Sequence, residues 1–539
     1  MSKPIVSLTL GQIQGEWISK GSLASFKGIP YAKPPVGRLR WKAPQPLEKW
    51  EGVKNATKFG PYAWQQEISL PLFLGALVDG QGWNPMRRFF VKSLFKIVPR
   101  PKQSEDCLYL NIKTPSLEQE AKLPVMVWIH GGDHQDGGSA EVYYDGTAIP
   151  EREVVLVTIN YRLGLMGYFA HPALKEESEQ GVCGNYGTLD QIAALKWVRD
   201  HIEQFGGDPD NVTIFGESAG GESVLHMLTS PLAHGLFHKA IMQSPANAGQ
   251  MTQQSKAFGY IPSAEDFSME FSQKMGIQGD NQLEQLRNMP AEELMGRLRQ
   301  EKRLNAFYPI VDGYVLPKSP LEAFRDGDQT KVPLLLGSNA DEGTCIYPIF
   351  PTPILDYRHL NLSKAQLKEQ LQTDFGEDLE RLFDLYPGLE HHDQRAEIDI
   401  LGDDFFGSRV RIYAEFASSI GQATYFYMFK RTPPSSSQTA GAAHASELPF
   451  VHGTNTPILP LNEEDQKLSK IMIDYWVSFA KTGDPNLQPY PTWDTFDASN
   501  PQWMSFDIDK FGMEAVDRDE KYSILNKRLL SRLSLLEEV

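Results

Sequence analysis

The sequence predicts an α/β fold in which a central, mostly parallel β-sheet is flanked by helices. Three observations indicate this class: short apolar runs, helical stretches between them, and turn residues where one passes into the other. Strands that helices cover on both faces are apolar along their whole length, because neither face meets water. The runs that fit this description are PVMVWIH (124–130), VVLVTINYR (154–162), NVTIFG (211–216), KAIMQS (239–244), PLLLGS (333–338) and TYFYMF (424–429).

The clearest helix lies between the second and third runs. Its apolar residues recur at steps of three or four: Leu189, Ile192, Leu195, Val198, Ile202 and Phe205. Thr188 lies three residues before Gln191, which is a capping-box pattern, and Gly206 and Gly207 follow the last apolar residue. We therefore predict a helix with one apolar face that starts near Thr188 and ends before Gly206.

The remaining organisation favours one large domain that spans residues 1–539. No repeat or long low-complexity region divides the chain. Two polar, helix-prone stretches near 251–305 and 355–400 lie between predicted strands, and we expect them to be helical excursions over the sheet and its functional site. The segment 431–447, rich in Pro, Ser, Ala and Thr, is the most loop-like part and follows the last core strand.

Charge and cysteine content exclude some classes of function. The formal net charge of −17 argues against a nucleic-acid partner, because phosphate binding relies on clustered Lys and Arg. Cys107, Cys183 and Cys345 are an odd number and lie far apart, so we expect no disulfide framework. The first residues lack the features of a secretory signal, and the most apolar insert, 68–78, is too short to span a bilayer. We therefore expect a cytoplasmic protein without a membrane span, as a monomer or a small homo-oligomer.

The strongest chemical signal is FGESAGG, residues 215–221. A Gly-x-Ser-x-Gly motif between a strand and a helix forms a tight turn that exposes the serine hydroxyl above the sheet. The N-terminus of the following helix favours negative charge. We predict that Ser218 is a nucleophile; the alternative is a glycine-rich turn in which the serine only caps the helix.

A serine nucleophile requires a base, and also an acid that orients the base. After a motif of this kind, the acid and then the histidine follow the serine along the chain. Among the 12 histidines, His444 lies in a loop after the last core strand, and this position makes it the candidate base. GSNADEG (337–343) ends the fifth run with two acids, so Asp341 and Glu342 both remain candidates on this reasoning.

A series of motifs, in one order along the chain, resembles those of the type-B carboxylesterase family, the cholinesterase-like branch of the α/β-hydrolases. They are FKGIPYAKPPVGRLRW (26–41), SEDCLYLNI (104–112), GNYGTLDQ (184–191), GESAGG (216–221), DEG (341–343), GAAHASELPF (441–450) and WVSFAKTGDPN (476–486). The resemblance implies an α/β-hydrolase fold and the hydrolysis of carboxylic esters without a cofactor or a metal. It also implies that Glu342 is the acid and Asp341 a structural neighbour. A structural ion pair between Arg40 and Glu105 is implied as well.

The same resemblance implies an oxyanion hole in the loop HGGDHQDGG (130–138) and at the residue after the serine. The implied donors are the main-chain N–H groups of Gly132, Asp133 and Ala219. Family members carry a small residue where this chain has Asp133. Its carboxylate could turn away to pair with a cation such as His134, could be protonated, or could orient the water that attacks the covalent intermediate.

The chain departs from the family pattern in the insert near 66–100. The position that matches the family's partner for the cysteine of SEDCLYLN is Trp64, so no disulfide closes this loop. The insert is apolar at its start and basic at its end. Two interpretations remain: a lid that binds acyl chains or a lipid surface, or a partly buried structural segment.

These observations predict a cofactor-independent serine hydrolase that cleaves small-molecule carboxylic esters through an acyl-enzyme. Ser218 attacks the ester, His444 transfers the proton and Glu342 orients His444. One alternative is a catalytically silent binding protein of the same family, although such proteins usually lack part of the triad that this chain retains. The other alternative is a lipase that acts at lipid interfaces, which only the apolar insert supports.

Overall fold

The computed structural model describes residues 2–66, 69–97, 100–245, 251–257, 262–300, 307–354, 363–432, 438–455 and 460–537. The strands within these ranges are β1 (Ile5–Leu8), β2 (Gly11–Gln14), β3 (Glu16–Ile18), β4 (Leu23–Pro30), β5 (Val53–Asn55), β6 (Tyr109–Thr114), β7 (Leu123–Ile129), β8 (Val155–Ile159), β9 (Gly207–Glu217), β10 (Lys239–Gln243), β11 (Leu334–Asn339), β12 (Thr424–Phe429), β13 (Gln502–Phe506) and β14 (Gly512–Ala515). In this described part, β1, β2 and β5 form a small sheet, and the other strands form one sheet in the order β14–β13–β12–β11–β10–β9–β7–β8–β6–β4–β3.

Helices fill the connections between the strands. Their bounds are α1 (Ser69–Gly80), α2 (Pro85–Ile97), α3 (Gly164–Tyr168), α4 (Pro172–Glu176), α5 (Tyr186–His201), α6 (Ala219–Thr229), α7 (Ala264–Lys274), α8 (Gln282–Asn288), α9 (Ala291–Gln300), α10 (Pro320–Asp326), α11 (Gly343–Ile346), α12 (Lys364–Phe375), α13 (Leu379–Leu385), α14 (Gln394–Gly402), α15 (Ser408–Ser419), α16 (Leu448–His452), α17 (Glu463–Thr482) and α18 (Asp519–Glu537). Helices α7 to α9 lie within the predicted excursion near 251–305, and α12 to α14 lie within or beside the one near 355–400. The parts of these two stretches at 258–261, 301–306 and 355–362 fall outside the described residues.

All six predicted runs are confirmed as strands, β7 to β12. They are neighbours in the large sheet and run parallel to one another. The outer strands β3, β4 and β6 pair antiparallel at one side, and β14 does so at the other. The sequence analysis did not predict β3, β4, β6, β13 or β14. Of these, β3 and β14 are short and only partly buried, so they carry no continuous apolar run.

The core divides into two layers, one on each face of the large sheet. Along β7, Val125, Val127 and Ile129 join one apolar cluster, whereas Met126 and Trp128 join the other. Successive side chains of a strand point to opposite faces, so both layers draw on the same strand. This covering of both faces explains why the central strands are apolar throughout.

The predicted helix after β8 is present as α5, but it starts earlier than expected. It begins at Tyr186, and Thr188 is a fully buried residue inside its first turn, so the capping-box prediction at Thr188 is wrong. Asn185 precedes the helix, and its side-chain amide donates to the main-chain oxygen of Ile310 at 2.8 Å. Asn185 thus ties the start of α5 to a segment remote in sequence, which a local pattern cannot reveal. A short 3₁₀ turn continues the helix as far as Gly206, whose φ is 74°.

The insert after Trp64 folds in its described part as a pair of helices, α1 and α2. Leu74, Leu77 and Val78 of α1 pack with Val91 of α2 in a small apolar cluster. No helix in the described ranges is long and apolar enough to cross a membrane. The insert is therefore helical, with one side anchored in the protein.

Candidate active site

Ser218 lies at the junction between β9 and α6, at the carboxyl edge of the sheet. Its backbone has φ 58° and ψ −126°, which is strained for a residue with a side chain. Gly216 and Gly220 make the turn possible: a Cβ on Gly216 would lie 2.5 Å from the carbonyl carbon of Gly220, and one on Gly220 would lie 2.1 Å from the oxygen of Ile129. The Ser218 N–H donates to the oxygen of Gln243 at 2.9 Å. The predicted strand–turn–helix is therefore present around Ser218.

His444 and Glu342 come together from two loops at the same edge of the sheet. Glu342 follows β11 and His444 follows β12, and these strands are parallel neighbours. Glu342 Oε2 lies 2.5 Å from His444 Nδ1. Glu342 Oε1 accepts hydrogen bonds from the Ser244 hydroxyl at 2.5 Å and from the Asn339 N–H at 2.7 Å. These contacts hold the carboxylate so that it orients the imidazole ring.

Asp341, the other candidate acid, supports the loop that carries His444. Its Oδ2 accepts from the Ala442 N–H at 2.9 Å, and its own N–H donates to the Ala442 oxygen at 2.9 Å. Its Oδ1 lies 3.1 Å from Nη2 of Arg395. Of the two acids, Glu342 is the one that contacts His444, and Asp341 is its structural neighbour.

A third carboxyl group, that of Glu217, lies against the other nitrogen of His444. Glu217 Oε1 is 3.1 Å from His444 Nε2, and both side chains are buried. Within the described residues, His444 Nε2 makes its polar contact with Glu217 and not with the Ser218 hydroxyl. The imidazole ring is thus held between two carboxyl groups, one on each nitrogen.

This arrangement changes the protonation of both partners. Burial lowers the pKa of His444, but the carboxylates of Glu217 and Glu342 outweigh that effect and raise it to about 9. Burial also raises the pKa of Glu217 well above its usual range, against the opposing effect of His444, and the nearby Glu447 adds to the rise. Glu217 and His444 therefore both hold a proton more strongly than the free side chains do.

The loop of the predicted oxyanion hole closes over the turn at Ser218. Gly132, Asp133 and His134 have positive φ values of 105°, 60° and 53°. A Cβ on Gly132 would lie 2.1 Å from a main-chain oxygen of the same loop, so only glycine fits there. Gly132 and Asp133 line the same cavity as Ser218, whereas Ala219 is fully buried at the start of α6.

The carboxylate of Asp133 does not pair with His134. The His134 ring is buried, with Nε2 3.3 Å from Glu222 Oε2, and burial lowers its pKa to about 3, so it is not a cation. Asp133 Oδ2 instead accepts a hydrogen bond from the Tyr308 hydroxyl at 2.9 Å. The half-buried carboxylate is therefore oriented by a residue that lies 175 positions along the chain.

Ser218 and His444 line a cavity of about 1010 Å³, its open mouth included. Its apolar lining residues are Phe73, Leu74, Leu77, Ile346, Ile349, Phe350, Phe405, Phe406 and Leu448. Its acidic lining residues are Asp133, Glu141 and Glu217. Such a cavity, mostly apolar with a few polar groups, is suited to an apolar chain. Within the described residues, no group of three or more His, Cys, Asp or Glu side chains could hold a metal ion.

One residue that the sequence analysis did not single out packs directly on His444. The ring of Phe406 lies 4.4 Å from that of His444, centroid to centroid. Phe406 belongs to a π-helical turn, Asp403–Gly407, between α14 and α15. Neither Phe406 nor Tyr308 carries a sequence signal, whereas Glu217 stands inside the GESAGG motif and could have been found there.

The structural ion pair between Arg40 and Glu105 is confirmed. Nε and Nη2 of Arg40 lie 2.6 Å and 2.7 Å from the two carboxylate oxygens of Glu105. Arg40 Nη1 also donates to the main-chain oxygens of Leu286 and Met289. The pair therefore joins α8 and the loop that follows it to the N-terminal part of the fold.

Comparison with known proteins places this site in context. A model of the carboxylesterase family matches residues 2–525 of the chain. Para-nitrobenzyl esterase of Bacillus subtilis (strain 168) is 37% identical over 503 residues, which cover 90% of this chain and 92% of that protein. Fumonisin B1 esterase of Sphingopyxis macrogoltabida is 34% identical over 496 residues, which cover 89% of this chain and 82% of that protein.

Solved structures resemble the whole fold. A PNB esterase structure superposes with a TM-score of 0.77 at 34% identity and covers 97% of this chain and 100% of the other. The carboxylesterase of Geobacillus stearothermophilus at pH 6.2 superposes with a TM-score of 0.78 at 31% identity, covering 97% and 99%.

Proposed function

The chain belongs to the carboxylesterase family and is a carboxylic ester hydrolase of the serine hydrolase type, and on this premise we propose which residues carry the reaction. Ser218 is the nucleophile, His444 the general base and Glu342 the acid that orients His444. The observation that carries this proposal is the contact of Glu342 with His444 Nδ1 at 2.5 Å, beside the same cavity that the strained Ser218 lines.

In the first half of the reaction, Ser218 Oγ attacks the carbonyl carbon of the ester. His444 Nε2 accepts the hydroxyl proton, while Nδ1 remains hydrogen-bonded to Glu342, which stabilises the imidazolium that forms. The proton then passes to the alcohol oxygen as the ester bond breaks. In the second half, water attacks the acyl carbon while His444 takes its proton. His444 then returns that proton to Ser218 Oγ as the bond between Oγ and the acyl carbon breaks.

Negative charge develops on the carbonyl oxygen during both steps. We assign the oxyanion hole to the N–H groups of Gly132, Asp133 and Ala219. The positive φ values of Gly132 and Asp133 and the start of α6 at Ala219 support this assignment. The negative charge of the Asp133 carboxylate destabilises the oxyanion, and the hydrogen bond from Tyr308 holds that carboxylate in its orientation.

The lining of the cavity supports small-molecule esters with an apolar chain as substrates. Phe73, Leu74 and Leu77 of α1 form one wall, and Phe405 and Phe406 form another. Because Glu217 directly precedes Ser218 and Asp133 stands in the proposed oxyanion loop, an ester with a carboxylate near its carbonyl group should be a poor substrate.

We also propose that the enzyme works in the cytoplasm. Cys107, Cys183 and Cys345 are buried free thiols, which suits a reducing compartment. Cell fractionation with activity measured in each fraction tests the location.

Pre-steady-state kinetics test the assignment of the nucleophile. When an excess of p-nitrophenyl butyrate is mixed with the enzyme, we expect an acyl-enzyme on Ser218, detected by intact mass after acid quench. Ser218→Ala should release no p-nitrophenolate above background and show no added mass, while its circular dichroism spectrum stays that of the wild type. An acyl group on another residue would refute the assignment.

A further inference from the structure

Helix α2 presents three large apolar side chains to solvent. Met86, Phe89 and Phe90 are 83%, 75% and 61% exposed. Their spacing of three and four residues places them on one face of the helix. Large apolar side chains grouped in this way on a protein surface mark an interaction site more often than chance.

The opposite side of α2 is anchored in the protein. Val91 is 4% exposed and packs in the apolar cluster with Leu74, Leu77 and Val78 of α1. Because this packing fixes the orientation of α2, Met86, Phe89 and Phe90 face solvent. A rotation of α2 that buried these three side chains would expose Val91 instead.

Cations accompany the exposed aromatic rings. The sequence of α2, PMRRFFVKSLFKI, contains basic residues and no acidic one. Arg87 lies over the ring of Trp83 at 4.2 Å, while Arg88 and Lys92 share the single carboxylate of Asp79 at 3.6 Å and 2.7 Å. Helix α2 therefore carries an excess of cations, on a protein whose formal net charge is −17.

We propose that the outer face of α2, formed by Met86, Phe89 and Phe90 and flanked by Arg87 and Arg88, docks the protein on an anionic lipid surface. Aromatic side chains that can enter the headgroup region, beside Arg and Lys that contact lipid phosphates, are the features of helices that lie in a membrane interface. Charge complementarity favours an anionic lipid surface as the partner of α2, because the cations of α2 would be attracted to it. The rest of the protein is acidic and would be repelled by such a surface.

Docking in this orientation connects the lipid to the reaction. The other helix of the pair, α1, lines the cavity with Phe73, Leu74 and Leu77, and Phe73 lies 5.8 Å from the ring of His444. The docked enzyme would receive apolar esters that are dissolved in lipid rather than in water. This consequence rests on the proposed function, whereas the docking itself does not.

Co-sedimentation with vesicles tests the docking. The full chain is mixed with vesicles of pure phosphatidylcholine, or with vesicles that contain about one third phosphatidylglycerol. We expect binding to the anionic vesicles that weakens in 1 M salt, where the Debye length is about 3 Å. Phe89→Ser/Phe90→Ser should weaken that binding by about tenfold or more, since each ring loses its burial in the interface. Arg87→Gln/Arg88→Gln should weaken it by about tenfold or more through the loss of two positive charges.

Two controls separate docking from folding and from catalysis. Ile5→Ser/Val53→Ser removes two apolar residues of the small sheet that are 50% and 48% exposed, and it should bind vesicles as the wild type does. The α2 variants should keep the wild-type turnover of water-soluble p-nitrophenyl acetate, and Ser218→Ala should bind vesicles without turnover. Equal binding to both kinds of vesicle, or binding that the α2 variants do not weaken, would overturn the proposal. So would a dimer, seen by light scattering, that Phe89→Ser/Phe90→Ser converts to a monomer.

Discussion

The turn that carries Ser218 and the loop that carries Asp133 hold almost the same unusual backbone angle, φ 58° and 60°, but by different means. At Ser218 the strain is held by main-chain packing, because Gly216 and Gly220 let neighbouring backbone approach closely. At Asp133 side-chain contacts add to the support, including the hydrogen bond from Tyr308. The first arrangement depends on residue types within one motif, whereas the second depends on a contact between remote parts of the chain.

The two regions also differ in electrostatics. Around His444, the carboxylates of Glu342 and Glu217 both favour the imidazolium that forms during the reaction. At the proposed oxyanion hole, the carboxylate of Asp133 opposes the charge that would form on the oxyanion. Removing the charge of Glu342 should therefore slow the reaction, whereas removing the charge of Asp133 should speed it.

Glu342→Gln gives the largest expected effect. The amide keeps the shape of the side chain but no longer stabilises the imidazolium, and it favours the wrong tautomer of His444, so we expect kcat to fall by about 10⁴-fold. Steady-state hydrolysis of p-nitrophenyl butyrate measures this loss. Asp341→Asn is the matched control, because it neutralises the adjacent acid that contacts the Ala442 backbone rather than His444. Equal losses in the two variants would mean that Glu342 acts only on the loop structure.

Asp133→Asn should have the opposite effect and make the reaction faster. Asn tolerates positive φ as Asp does, and the change removes a charge near the oxyanion. Two unit charges about 5 Å apart interact with about 3 kcal/mol at an effective dielectric of about 20, so we expect the rate of acylation to rise by between about 10-fold and about 100-fold. Stopped-flow release of p-nitrophenolate measures acylation separately from later turnover. A faster first phase with an unchanged second phase sharpens the contrast; a slower second phase would show instead that the carboxylate orients the attacking water.

Tyr308→Phe tests the support of Asp133 itself. A hydrogen bond to a charged acceptor contributes about 1.5–3 kcal/mol, and its loss removes one of the contacts that hold the carboxylate in its orientation. We expect kcat/KM to fall by about three- to tenfold in the wild-type background. In the Asp133→Asn background the same change should have little effect, and this double-mutant cycle isolates the coupling of the two residues. Equal losses in both backgrounds would show that Tyr308 acts on the cavity and not through Asp133.

The contrast between the two regions also explains what could be predicted from the sequence. The six central strands and the turn at Ser218 follow from local patterns, because buried strands are apolar throughout and close backbone packing requires glycine. The choice of Glu342 over Asp341 came from a family resemblance, and the contact with His444 agrees with it. Tyr308 and Phe406 were missed because their roles depend on which loops meet in space. Nothing in the sequence around Asp133 indicates the residue that orients its carboxylate.

Glu217→Gln has the smallest expected effect on the rate and the clearest effect on its pH dependence. The base must be neutral, and the carboxylates of Glu217 and Glu342 raise the pKa of His444 to about 9, so kcat/KM should rise with pH up to that value. Removing the charge of Glu217 lowers the pKa of His444, so the rise of kcat/KM with pH, the acidic limb of the profile, should move to lower pH. The value of kcat/KM on the alkaline plateau should stay nearly the same. A pH profile of kcat/KM for the wild type and the variant measures the shift. A limb that keeps its position would show that Glu217 is already uncharged in the free enzyme.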